Sequence, residues 1–128
     1  MLSNIQKIES NDCAVVAIAQ LLGIPYDDAW KALELQGRKQ GRGAMAYQIL
    51  NALRYLDVKF ERVDCLKPDN SKYTAKTINR KFICGRYLLL TTDHAIALID
   101  GKIQDWTKDR HHRILAAYYI DLPDLIPF

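Results

Sequence analysis

From Cys13 to Gly23 the chain reads CAVVAIAQLLG, and after the cysteine its only polar side chain is Gln20. A helix this apolar on nearly every side has no face to give to water, so it belongs at the centre of the fold with other elements wrapped around it. Its ends are marked. Asn11 or Asp12 is placed to cap a start at or next to Cys13, and Gly23 followed by Pro25 stops the helix. The chain has 128 residues, one domain's worth, and 1–128 is expected to fold as a single unit around that helix.

The segments that follow predict what covers it. Residues 26–36 fit a second helix, with Asp27 and Asp28 at the positive end of its dipole and Ala29, Trp30 and Leu33 as the inward stripe. GRKQGRG, 37–43, breaks the chain, and 44–56 then shows Met45, Ile49, Leu53 and Leu56 at helical spacing. From 57 the period changes. VKFERV alternates like a strand, LKPDNSKY reads as a loop, and TAKTINRKF fits a short helix. RYLLLTT, HAIALI and KIQDW arrive in close succession, with ILAAYYI after the charged loop TKDRHHR, and connections this short favour antiparallel neighbours. The tail DLPDLIPF, with two prolines, is expected to pack irregularly. The predicted class is α+β, a helical N-terminal half followed by a mainly antiparallel sheet.

Composition removes several function classes. At 49% hydrophobic and 26% charged the chain is that of an ordinary globular protein, and no apolar stretch approaches the ~20 residues of a spanning helix. The N-terminus MLSNIQKIES lacks the basic and apolar regions of a signal peptide, so a cytoplasmic site of action is expected, without a membrane partner. A net charge of +3 from 18 basic and 15 acidic residues is too small an excess to argue for nucleic acid. Cys13, Cys65 and Cys84 are widely spaced and form no CxxC pair, which predicts reduced thiols. With the three histidines they show no zinc spacing, and neither metal nor cofactor is expected.

Two readings of Cys13 compete. Free cysteine is among the most buried residue types, and Ala, Val and Ile surround this one. A cysteine in the first turn of a helix, however, has its sulfur near the positive end of the backbone dipole, which favours the thiolate. TTDHAIALIDGKIQDW, 91–106, tips the balance, because a thiol nucleophile needs an imidazole to take its proton and a third group to orient that imidazole. Asp100-Gly101 is a preferred type I′ hairpin turn. In that register Ile99 faces Lys102 and Ile96 faces Asp105, which places His94 diagonally from Asp105 on the same face, about 7–8 Å apart at the backbone. A three-residue turn would put the two on opposite faces.

NDCAVVAIAQLLGI, 11–24, and HAIALIDGKIQDW, 94–106, together resemble the papain-like cysteine peptidase fold. Within it they are most similar to the bacteriocin leader-peptide peptidase domains and to small phage and bacterial proteins like them. The resemblance implies Cys13 as nucleophile on the central helix, His94 as general base on the sheet and Asp105 as the orienting residue on the next strand. It also implies a glutamine upstream of the cysteine that helps hold the oxyanion. Gln6, seven positions before Cys13, is the nearest match, one position beyond the common spacing, and Asn11 is the competing amide. Ala14 follows the cysteine where the leader peptidases commonly have glycine.

The expected activity is hydrolysis of a peptide, isopeptide or related amide bond, on a peptide or protein substrate, through an acyl-cysteine. The alternatives are a non-catalytic binding or inhibitor module on the same scaffold, acting in a host cytoplasm if phage-encoded, and a glutamine deamidase or acyltransferase. GRKQGRG lacks the order of a P-loop, and Arg38 and Arg42 are candidates to meet a substrate carboxylate at the cleft rim. Trp106 is placed to shield the His94–Asp105 pair from water. KDRHHR, 108–113, reads as a solvated loop.

Overall fold

The computed structural model describes residues 12–39, 41–92, 94–104 and 113–122. Gln6, Asn11, Asp105, Trp106, most of the KDRHHR loop and all of the tail after Leu122 lie outside these residues.

Helix α1 is Cys13–Leu22. None of its residues is exposed, and Ala14, Val15, Ala17, Ile18 and Leu21 are fully enclosed, as an all-round apolar helix requires. Gly23 ends it in the left-handed conformation at φ 66°, and the Ile24 amide turns back to the Ala19 carbonyl at 3.1 Å. This is the closure for which glycine carries no side-chain penalty.

Helix α2, Tyr26–Leu35, starts after Pro25 with Asp27 and Asp28 in its first turn. Its enclosed residues are Ala29, Ala32 and Leu33. Trp30, expected in the stripe, is only half-buried: it sits at the stripe's edge, in the wall of a surface depression with Glu34. Helix α3 is Ala46–Tyr55, one turn shorter than its apolar spacing predicted. Met45 is 63% exposed rather than inward, because the chain enters the helix there. Its amide donates to Gln48 Oε1 at 2.8 Å, and the inward face is Gln48, Ile49, Ala52 and Leu53.

Five strands follow: β1 Lys59–Val63, β2 Arg86–Leu90, β3 Ala95–Ile99, β4 Lys102–Ile103 and β5 Ala116–Asp121. They form one sheet in the order β1-β5-β2-β3-β4 in which every pairing is antiparallel. Neighbour-to-neighbour connection holds for β2, β3 and β4, but β5 leaves β4 and inserts between β1 and β2. Burial explains the departure. Ala117 and Ile120 of β5 are enclosed on opposite faces, which suits an interior strand, whereas KFERV in β1 is mostly exposed and charged, which suits an edge.

The sheet is covered on both faces. Leu88, Leu90, Ala95 and Ala97 face the helices, while Leu89, Ile96 and Leu98 face a second core with Cys65, Ala75, Ile78 and Phe82 from the segment between β1 and β2. This alternation accounts for the continuous apolar runs in β2 and β3. The short helix expected at 74–82 is a single 3-10 turn, Ile78–Arg80. The loop before it closes on itself through a bridge between Leu66 and Lys72. No helix among the described residues is long and apolar enough to cross a membrane.

Candidate active site

Helix α1 lies across β3, where Ala95 and Ala97 leave room for close approach. Its C-terminal end is held by Arg86, whose Nη1 donates to the Leu21 carbonyl at 2.6 Å and the Gln20 carbonyl at 3.2 Å, a cation at the negative end of the dipole. Arg86 opens β2 opposite Ile99, the last residue of β3. From Leu21 back to Cys13 is about 12 Å of helix at ~1.5 Å per residue, and from Ile99 back to Ala95 is about 13 Å of strand at ~3.3 Å per residue. The two elements therefore run in the same direction and begin side by side. That match of lengths delivers Cys13 to His94.

Cys13 is the first residue of α1 and is half-buried, and its side chain is hydrogen-bonded to that of His94. Burial pushes the thiol up from its ordinary value, but the other influences outweigh it. These are the hydrogen bond with His94, the Ala95 backbone amide, the charge of His94 and the Ala14 backbone amide, and together they hold the thiol below its ordinary value. His94 is half-buried just ahead of β3. Its carbonyl accepts from both the Thr91 amide at 2.9 Å and Thr91 Oγ1 at 3.1 Å, which pins the backbone from which the imidazole projects.

The β3–β4 turn follows its sequence. Asp100 and Gly101 have φ of 49° and 79°, Ile99 pairs with Lys102, and Leu98 pairs with Ile103. The Gln104 amide continues the register to the Ala97 carbonyl at 2.8 Å. Asp100 ties the turn down by exchanging hydrogen bonds with Gly85, its amide to the Gly85 carbonyl and its Oδ1 from the Gly85 amide, both 2.9 Å. A side chain at Gly101 would press on the Ile83 carbonyl at 3.0 Å. Asp105, the next position, lies outside the described residues, as do Gln6, Asn11 and Trp106.

Asp12 occupies the N-cap position but makes no side-chain cap. Its Oδ2 instead accepts the Tyr26 hydroxyl at 2.8 Å. The sequence reading missed this partner because Tyr26 opens the second helix and nothing in the periodicity points it at the first. Arg86, whose partners on α1 lie 65 and 66 positions away, was missed for the same reason.

Arg38 and Arg42 come together elsewhere. Arg38 is 4% exposed, and with Lys39, Arg42, Met45 and Gln48 it lines a depression of about 490 Å³. Trp30 and Glu34 continue it into an adjoining one of about 390 Å³. Neither depression has Cys13 or His94 in its wall. Among the described residues no group of three or more His, Cys, Asp or Glu side chains is placed to hold a metal. Comparison with protein-family models, with curated proteins and with solved structures gave no match to the chain.

Proposed function

We propose that the protein is a papain-like thiol hydrolase that cleaves a peptide, isopeptide or related amide bond through an acyl-Cys13 intermediate. The observation that carries this reading is the hydrogen-bonded Cys13–His94 pair at the head of α1, with the thiol held below its ordinary value despite burial.

In the reaction so assigned, the Cys13 proton passes to His94 and the thiolate attacks the carbonyl carbon, whose π electrons move to oxygen. The Cys13 backbone N–H, at a helix start where it has no intrahelical acceptor, is available to that oxygen, with Gln6 or Asn11 as the second donor. The carbonyl re-forms, the C–N bond breaks, and the amine leaves with the proton from His94. Water then adds to the thioester with His94 as base, releasing the acid and restoring the thiol. Asp105 has the role of orienting His94.

The test is incubation with a peptide library read by mass spectrometry. Fragment pairs whose masses sum to the parent plus one water are expected from the native protein and not from Cys13→Ala. Equal cleavage by Cys13→Ala would remove the reading, and a mass change without chain cleavage would assign deamidation or acyl transfer instead.

A further inference from the structure

An aspartate at a helix N-cap ordinarily turns its carboxylate onto the first-turn amides. Asp12 has the position without the interaction: its backbone, at φ −102° and ψ 20°, is outside the extended region typical of a capping residue, and its carboxylate goes to Tyr26. Tyr26 comes within reach because the left-handed Gly23 and the extended Pro25, at φ −59° and ψ 148°, bring the first residue of α2 back to the first turn of α1.

We infer that Tyr26 is a positioning residue for the Cys13 site, holding the Asp12 carboxylate off the first-turn amides of α1 so that they serve the sulfur. The inference rests on the reading of Cys13 as a nucleophile.

A carboxylate and a thiolate at one helix start compete for the same positive end of the dipole, and each disfavours the other's charge. Few other groups share in this balance. Apart from Cys13, neither CAVVAIAQLL in α1 nor AIALI in β3 has an ionisable side chain. On the other elements packed against α1, Asp27, Asp28, Lys31 and Glu34 of α2 are exposed and Arg86 of β2 is held at the far end of the helix, so among the described residues the charge that acts on the sulfur is that of His94, with Asp12 one residue away. Tyr26 adds no charge at neutral pH. It satisfies one carboxylate oxygen with one O–H, and an amide of the Cys13 turn, that of Ala14, is then turned to the sulfur.

The experiment measures alkylation of Cys13 by iodoacetamide against pH in the full chain, with each cysteine read by peptide mass spectrometry. The proteins are the native sequence, Tyr26→Phe, Asp12→Ala and the double variant. Tyr26→Phe is expected to slow Cys13 by about 3- to 10-fold at pH near 6.5, which is a rise of up to about one unit in the profile's midpoint. Asp12→Ala alone should react at the native rate or faster, since it removes a negative charge beside the sulfur, and in the double variant it should restore at least the native rate, because no side-chain acceptor remains to be released. A native-like profile in Tyr26→Phe overturns the inference alone. A slow rate that persists in the double variant also overturns it, since lost packing would then be the cause. An ordinary thiol profile in the native protein overturns the nucleophile assignment itself.

Discussion

Cys13 and Cys65 lie on opposite faces of the same sheet, each packed among apolar side chains, and the same physics acts on both with opposite results. Burial raises both thiols. At Cys65 the charge of Asp64 adds to it, and the opposing pull of Arg62 and Lys81 is too weak to reverse the sign, so the thiol stands above its ordinary value. Part of that pull is spent on the exposed Asp64 itself, 3.5 Å from Lys81 Nζ. At Cys13 an imidazole and two backbone amides reach the sulfur directly. An apolar neighbourhood therefore does not decide whether a cysteine is inert. What decides is whether hydrogen-bond donors converge on it, and the start of a helix packed beside the start of a strand supplies them.

The largest expected effect breaks this comparison by chemistry. In the native protein Cys13 should react with iodoacetamide at least about 100-fold faster than Cys65 at neutral pH, since it has the larger thiolate fraction and Cys65 is 6% exposed. The sign of the pH dependence follows from the lowered thiol: its rate climbs through a midpoint below that of an ordinary thiol and then levels. His94→Ala removes two of the lowering influences and leaves burial in place, so the midpoint should move up toward that of Cys65. In any substrate that is turned over, kcat should fall by about 10²–10⁴. Peptide mapping of the alkylated cysteines checks the order. If Cys65 reacts first, or if His94→Ala leaves the Cys13 profile in place, the contrast between the two thiols is wrong.

What was legible in the sequence was what local chemistry decides. The end of α1 follows from one left-handed glycine, and the β3–β4 register follows from Asp100-Gly101, because each is specified within a few residues of where it acts. The Cys13–His94 meeting could be anticipated only as a conjunction of types, since the contact spans 81 positions of chain (94 − 13) and depends on the length match of α1 and β3. Tyr26 on Asp12, Arg86 on the end of α1 and the insertion of β5 were not legible. Each is a long-range pairing whose partners look ordinary in their own segments: a tyrosine opening a helix, an arginine opening a strand, a strand with unremarked neighbours.

A smaller effect probes the far end of the same helix. Arg86→Ala should leave the Leu21 and Gln20 carbonyls without their charged donor and cost about 1–3 kcal/mol of stability, seen as a lower midpoint in urea at unchanged slope. Because Arg86 fixes where α1 ends against β3, looseness there should reach Cys13 as a modest slowing of alkylation, while Cys65, on the other face, gains or keeps its slow rate. A variant with full stability would show that the helix is held in place by packing alone.

The smallest effect concerns the basic depression between α2 and α3. Arg42 is exposed, so Arg42→Ala should shift stability by no more than about 0.5 kcal/mol. Arg38, enclosed in the same wall, should cost more when truncated, through lost packing of its stem as well as lost charge. If the depression meets a substrate carboxylate, Arg42→Ala should raise KM for an acidic peptide by about 2- to 5-fold, the range of one exposed ion pair, with kcat unchanged and a neutral peptide unaffected. Equal KM values for the acidic peptide in the native protein and the variant would confine the loop to joining two helices. Since Cys13 and His94 line neither depression, such a contact would add uniform binding and no rate, which is why the effect belongs in KM.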